Sequence, residues 1–129
     1  MLNIREHICA TGATHALLTS YALSPALFES QIVRPLLQSG CDEILLLVDR
    51  AGYDALLTER AALAHAGCSY WIGCVDLFPR AFHPKVALFW SDDDATAFVM
   101  SANLTRGALA TNVEIVDQLT WSRSGGGST

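Results

Sequence analysis

Apolar and polar positions along the chain alternate with two different periods, and the changes of period mark out its elements. Residues 43–48 hold an unbroken apolar run from Ile44 to Val48. That run is too short for a buried helix, and its lack of alternation predicts a strand covered on both faces. Residues 16–21 predict an earlier strand, closed by Ser24-Pro25 in the order of a helix cap followed by proline at the first helical position. Leu27, Phe28, Ile32, Val33, Leu36 and Leu37 then recur at three- and four-residue steps, which predicts a helix ending before Gly40 with one buried face. Pro35 inside it removes a main-chain donor and predicts a bend. After a loop over 49–53, Asp54 can cap a second helix reaching Ala66, with Gly67 as its left-handed stop.

Residues 69–75 read as a third strand, and 76–82, with Pro79, as a connector. Two apolar runs, 85–90 and 96–101, flank the polar stretch Ser91-Asp92-Asp93-Asp94-Ala95 and predict a hairpin. A loop over 103–111 and a last strand over 113–121 complete the pattern. Its order predicts an α/β fold: a mixed β-sheet flanked by helices on both faces, forming a single domain over 1–121. The Ser/Gly-rich residues 122–129 read as a flexible tail.

Composition narrows the class. At 129 residues and 51% hydrophobic, the chain has enough apolar surface for one core without staples. No apolar stretch approaches the roughly 20 residues of a membrane span. Arg5, Glu6 and His7 interrupt what a signal peptide would need to keep apolar, so the expected location is cytoplasmic. Cysteines at 9, 41, 68 and 74 make no C-x-x-C pair and read as reduced thiols. The net charge of −5 argues against a broad basic face for nucleic acid and leaves room for a local cationic pocket. His7, His15 and His65 stand at no spacing that singles them out, Asp92 to Asp94 suit a solvated turn, and Asp49 suits a cap or turn.

His83-Pro84-Lys85 is different, because it contains the only lysine in the chain. On an extended backbone His83 and Lys85 project to one side. A hairpin centred on Asp93 would set Asn103 opposite His83 and Ser101 opposite Lys85, gathering a base, a cation, a hydroxyl and an amide into a patch that fits one phosphate.

The arrangement H-x-K, then S-x-N, then an acid at Glu114 resembles the HKD motif of the phospholipase D superfamily, in its nuclease-like branch. The likeness covers residues 82–114, and the βαβαβ run before it agrees with a phospholipase D-like domain. Three features depart from the family pattern. Trp90 stands where the motif has aspartate, Met100 where glycine is usual, and the hairpin is longer. The resemblance implies a metal-independent phosphodiesterase with no cofactor. His83 is its nucleophile, Lys85 and Asn103 bind phosphate oxygens, Ser101 hydrogen-bonds nearby, and Glu114 orients His83. One motif per chain implies a homodimer with a shared cleft, or a missing second half if the tail marks a truncation. DNA or RNA is the expected substrate, with no membrane partner. Arg80 and Arg106 would guide a polyanion, and Ser20 and Tyr21 would line the cleft. Two rivals stand beside this reading: a phospholipase or other small-diester hydrolase, and a catalytically silent dimerisation or nucleic-acid-binding module cut from a larger protein.

Overall fold

The structure, a computed structural model, describes residues 12–58, 66–67, 69–100, 115–123 and 127–128. Its strands are β1 (His15–Ser20), β2 (Glu43–Asp49), β3 (Trp71–Val75), β4 (Val86–Trp90), β5 (Asp94–Met100), β6 (Ile115–Ser122) and β7 (Gly127–Ser128). They form one sheet in the order β3-β2-β1-β4-β5-β6-β7. β1, β2 and β3 run parallel, and each strand from β4 onward is antiparallel to its neighbour. This is the mixed α/β sheet that the pattern predicts. Gly127 and Ser128, within the expected Ser/Gly tail, pair with Ser122 and Trp121.

The first crossover is a continuous helical stretch: α1 (Pro25–Phe28), a π-helical turn (Glu29–Val33) and α2 (Arg34–Gln38). The irregularity expected at Pro35 takes this form. The Arg34 amide reaches back five residues to the Glu29 carbonyl, widening the turn just ahead of a proline that has no amide to offer the ladder. Gly40, at φ 97°, ends the stretch in a conformation that other residues adopt only with strain.

The second crossover corrects the sequence reading. Helix α3 (Arg50–Leu57) follows β2 directly, with no loop between them. Its cap is Asp49, whose carboxylate accepts the Ala51 amide at 2.9 Å, and not Asp54. Extended backbone at Asp49 carries the carboxylate over the first turn, while Asp54 lies one turn further on and pairs with Arg50 at 3.2 Å. Ala66 is not helical; it bridges to Tyr70. The predicted helical residues 59–65 lie outside the described residues.

Phe28, Ile32, Val33 and Leu36 from the first crossover and Leu56 from α3 pack with Ala16, Leu18, Ile44, Leu46, Val48, Ala87, Phe89 and Phe98. These strand residues alternate along β1, β2, β4 and β5, so a single sheet face carries the core. Each fully buried Leu, Ile or Phe contributes about 1.5–3 kcal/mol. Tyr70 joins this core by donating its hydroxyl to Glu29 at 2.9 Å, tying the start of β3 to the π turn. The register places Trp71, Leu45, Leu17, Leu88, Ala97 and Leu119 in one row across the other face. Trp71 and Leu119 there are more than half exposed. Helical cover for this second face, as the pattern predicts, is not found among the described residues.

The hairpin is one residue tighter than a centre on Asp93 requires. Val86 faces Val99, Trp90 faces Ala95, and the Lys85 carbonyl takes the Met100 amide at 2.7 Å. The cause is the tip. Ser91 donates its amide to the Asp94 carbonyl at 2.8 Å, and Asp94 enters β5 opposite Ser122, leaving only Asp92 and Asp93 in the turn. The partner expected for Lys85, Ser101, is thus displaced by Met100. No helix among the described residues is long and apolar enough to cross a membrane.

Candidate active site

The carboxyl ends of β1, β2 and β3 share one edge of the sheet with the start of antiparallel β4. From β1 the neighbouring strands diverge, to β2 on one side and β4 on the other. Such a point opens a crevice between the segments leaving the strands. Tyr21 follows β1 here, Asp49 ends β2, and His83 precedes β4.

Three contacts shape this edge. First, the Tyr21 and His83 rings stack, with centroids 4.5 Å apart and planes 18° from parallel. Second, the β1–β4 ladder pairs residues as far as Leu18 with Ala87, and beyond it the Thr19 hydroxyl links the strands. That hydroxyl accepts the Val86 amide at 2.9 Å and donates to the Pro84 carbonyl at 2.8 Å. It therefore grips both residues that follow His83 on either side of Lys85. Third, the buried Asp49 carboxylate uses one oxygen to cap α3 and the other to accept the Phe82 amide at 2.7 Å. The Phe82 amide, then that of Ala51, hold the Asp49 carboxyl below its ordinary range against the opposing effect of burial, and the charge of His83 adds to the lowering.

Gly52 fits the same corner. A Cβ on it would collide with the Tyr21 carbonyl oxygen and lie 3.3 Å from that carbonyl's carbon. Only glycine lets the first turn of α3 pass this close to the main chain leaving β1.

The expected site residues differ in where the structure places them. Tyr21 and His83 meet. Lys85 is half-buried, with Nζ 3.5 Å from the main-chain oxygen of His83, at the outer limit of a hydrogen bond. Arg80 is exposed in the connector, where its amide bonds to the Leu77 carbonyl. Ser20 does not line the crevice. It is fully buried and donates its hydroxyl to the Ala22 carbonyl, because its position in β1 faces the core. Ser101, Asn103, Arg106 and Glu114 lie outside the described residues. The strands that flank them, β5 ending at Met100 and β6 beginning at Ile115, do so on this same edge. Sequence reasoning missed Thr19, Gly52 and the Phe82 contact of Asp49. Asp49 could be read as a cap, but nothing local announces a partner 33 residues away.

No family model matches the chain, and no curated protein matches it. Among solved structures, it is similar to a crystal structure of a yeast tyrosyl-DNA phosphodiesterase mutant. The TM-score is 0.54 at 15% identity, over 78% of this chain and 24% of that one. That enzyme is a member of the phospholipase D superfamily. The chain has the phospholipase D-like fold. It spans about a quarter of the length of the yeast protein. In this phospholipase D-like sheet, two of the three departures from the family pattern, Trp90 and Met100, have packing roles. Trp90 stacks on His15 at 5.1 Å, at the far end of β4 from His83, and Met100 is buried in the core.

Proposed function

We propose that the chain is a metal-independent phosphodiesterase that cleaves DNA or RNA through His83, in a site completed by a second copy of the chain. The observation that carries this reading is the position of His83. It stands at the divergence point of a phospholipase D-like sheet, with its ring stacked on Tyr21 and Lys85 two residues on.

In the proposed reaction, a ring nitrogen of His83 attacks phosphorus. A P–N bond forms as the P–O bond to the leaving group breaks, and the partner's His83 gives a proton to the departing oxygen. The partner's His83 then takes a proton from water, whose oxygen displaces the His83 nitrogen and releases a phosphomonoester. Lys85 and Asn103 offset the charge that builds on the equatorial oxygens, with Ser101 beside them. Glu114 accepts from the second ring nitrogen and fixes the tautomer. Arg80 and Arg106 attract the polyanion, and Tyr21 borders the bound diester. A single motif supplies one histidine, and two-fold pairing supplies the other.

The test is hydrolysis of a generic phosphodiester, single-stranded DNA and phospholipid vesicles in excess EDTA, over a protein dilution series, with His83→Ala alongside. The proposal predicts EDTA-resistant cleavage of DNA that vanishes in the variant and falls faster than linearly on dilution. Cleavage of vesicles in preference to DNA would move the same chemistry to a lipid substrate. Inactivity at every concentration would leave the fold as a silent module.

A further inference from the structure

The Tyr21–His83 stack is flanked on both sides by one short piece of helix. On the Tyr21 side, Gly52 lies against the Tyr21 carbonyl so closely that no other residue fits without moving one of them. On the His83 side, Asp49 holds the amide of Phe82, the residue before His83, at 2.7 Å. Asp49 and Gly52 are three positions apart across the start of α3, and Asp49 also fixes that start by accepting the Ala51 amide. A single rigid turn therefore sets the main chain that carries each ring.

We infer that the first turn of α3 is a clamp that positions the imidazole of His83, with Asp49, Gly52 and Tyr21 as positioning residues. This inference deepens the phosphodiesterase reading and rests on it for its catalytic consequence, though the clamp itself is a statement about ring geometry.

The physical reason such a device is needed lies in the segment it holds. Residues 81–85 belong to no strand or helix, and His83 is exposed. An imidazole on such a segment turns freely about two side-chain bonds unless something restrains it. Stacking restrains the ring plane without occupying either ring nitrogen, which leaves one to attack and the other to be oriented. Asp49 acts at the preceding amide and so limits where the His83 main chain can go. A misplacement of about 1 Å at a reacting atom costs on the order of 100-fold in rate.

The experiment is NMR of the carbon-bound imidazole protons of His83, assigned by comparison with His83→Ala. It is run on the wild type and on Tyr21→Leu, Tyr21→Phe, Gly52→Ala and Asp49→Asn. A ring stacked at this distance displaces those protons upfield. The clamp predicts that Tyr21→Leu and Gly52→Ala each lose the displacement, that Tyr21→Phe keeps it, and that Asp49→Asn broadens or shifts the resonances. If Gly52→Ala does not fold, Asp49→Asn tests the α3 side of the clamp and Tyr21→Leu against Tyr21→Phe tests the stack. His83 resonances that are the same in wild type and in folded Tyr21→Leu would overturn the inference. For cleavage, Tyr21→Leu should lower kcat by about 100-fold. If the wild type shows no His83-dependent hydrolysis, the phosphodiesterase reading fails, and the NMR comparison still decides the clamp.

Discussion

Thr19→Val isolates the link between β1 and the segment bearing His83. Valine has nearly the shape of threonine, so the change removes the hydroxyl without opening a cavity. Two hydrogen bonds are lost: the one accepted from Val86 at 2.9 Å and the one donated to Pro84 at 2.8 Å. Each contributes about 1 kcal/mol net, and the Val86 amide, losing its acceptor at a partly buried position, adds a penalty of about 1 kcal/mol. The expected destabilisation is about 3 kcal/mol, or roughly 10 °C in Tm for a chain of this size. Thermal and urea unfolding of wild type, Thr19→Val and Thr19→Ser provide the assay. The serine variant keeps the hydroxyl and should lose no more than about 1 kcal/mol, the contribution of one methyl group. A Thr19→Val protein within about 0.5 kcal/mol of wild type would mean that β4 is held in place without this side chain.

Other consequences are equally direct. Tyr70→Phe removes the buried bond to Glu29 and should cost about 1.5–3 kcal/mol, read as a lower urea midpoint with an unchanged slope. Because burial first and the Glu29 bond second hold the Tyr70 phenol neutral, the stability Tyr70 contributes is present below its ordinary pKa of about 10 and declines as pH rises past it; Tyr70→Phe should flatten that alkaline limb in a pH series of melts. The lowered Asp49 carboxyl contributes stability that is present above the ordinary carboxylate pKa of about 4 and lost as pH falls through its folded value, so Asp49→Asn should show a shallower acid limb than wild type. Burial pushes the Cys41 thiol up to about 11, so iodoacetamide at neutral pH should modify exposed Cys74 in the native protein and reach Cys41 only after unfolding, as peptide mass mapping would show.

What the sequence made legible follows from the range of the interactions involved. Strands β1, β2 and β3 were readable because each is a local apolar block with local stop signals, and Gly40 and Gly67 do adopt the left-handed conformations expected of them. The α3 cap was misplaced because Asp49 and Asp54 are equally good capping residues by type, and only the extended backbone at Asp49 decides between them. Pairing register was missed by one residue because Asp92, Asp93 and Asp94 offer no glycine to mark the turn, and the pairing of Asp94 with Ser122 settles it from another strand. Coverage of both sheet faces was inferred from the unbroken run at Ile44 to Val48. Within that run Leu45 is exposed while Ile44 and Leu46 are buried, so hydrophobicity alone did not reveal the facing. At the candidate site, His83 and Lys85 stand out in the sequence because histidine and lysine two apart on an extended segment are chemically distinctive. Thr19 and Gly52 do not, since a threonine in a strand and a glycine in a helix carry no signal until the chain they touch is known.

The claim that His83 attacks phosphorus is tested most directly by trapping the covalent intermediate. The protein is mixed with a phosphodiester labelled on the phosphoryl group that His83 would retain, quenched rapidly in denaturant under alkaline conditions, and digested for mass analysis. Attack by His83 predicts an acid-labile label on the peptide containing His83, formed in excess EDTA and absent from His83→Ala. Hydrolysis that proceeds without label on that peptide, or that persists in His83→Ala, would contradict it.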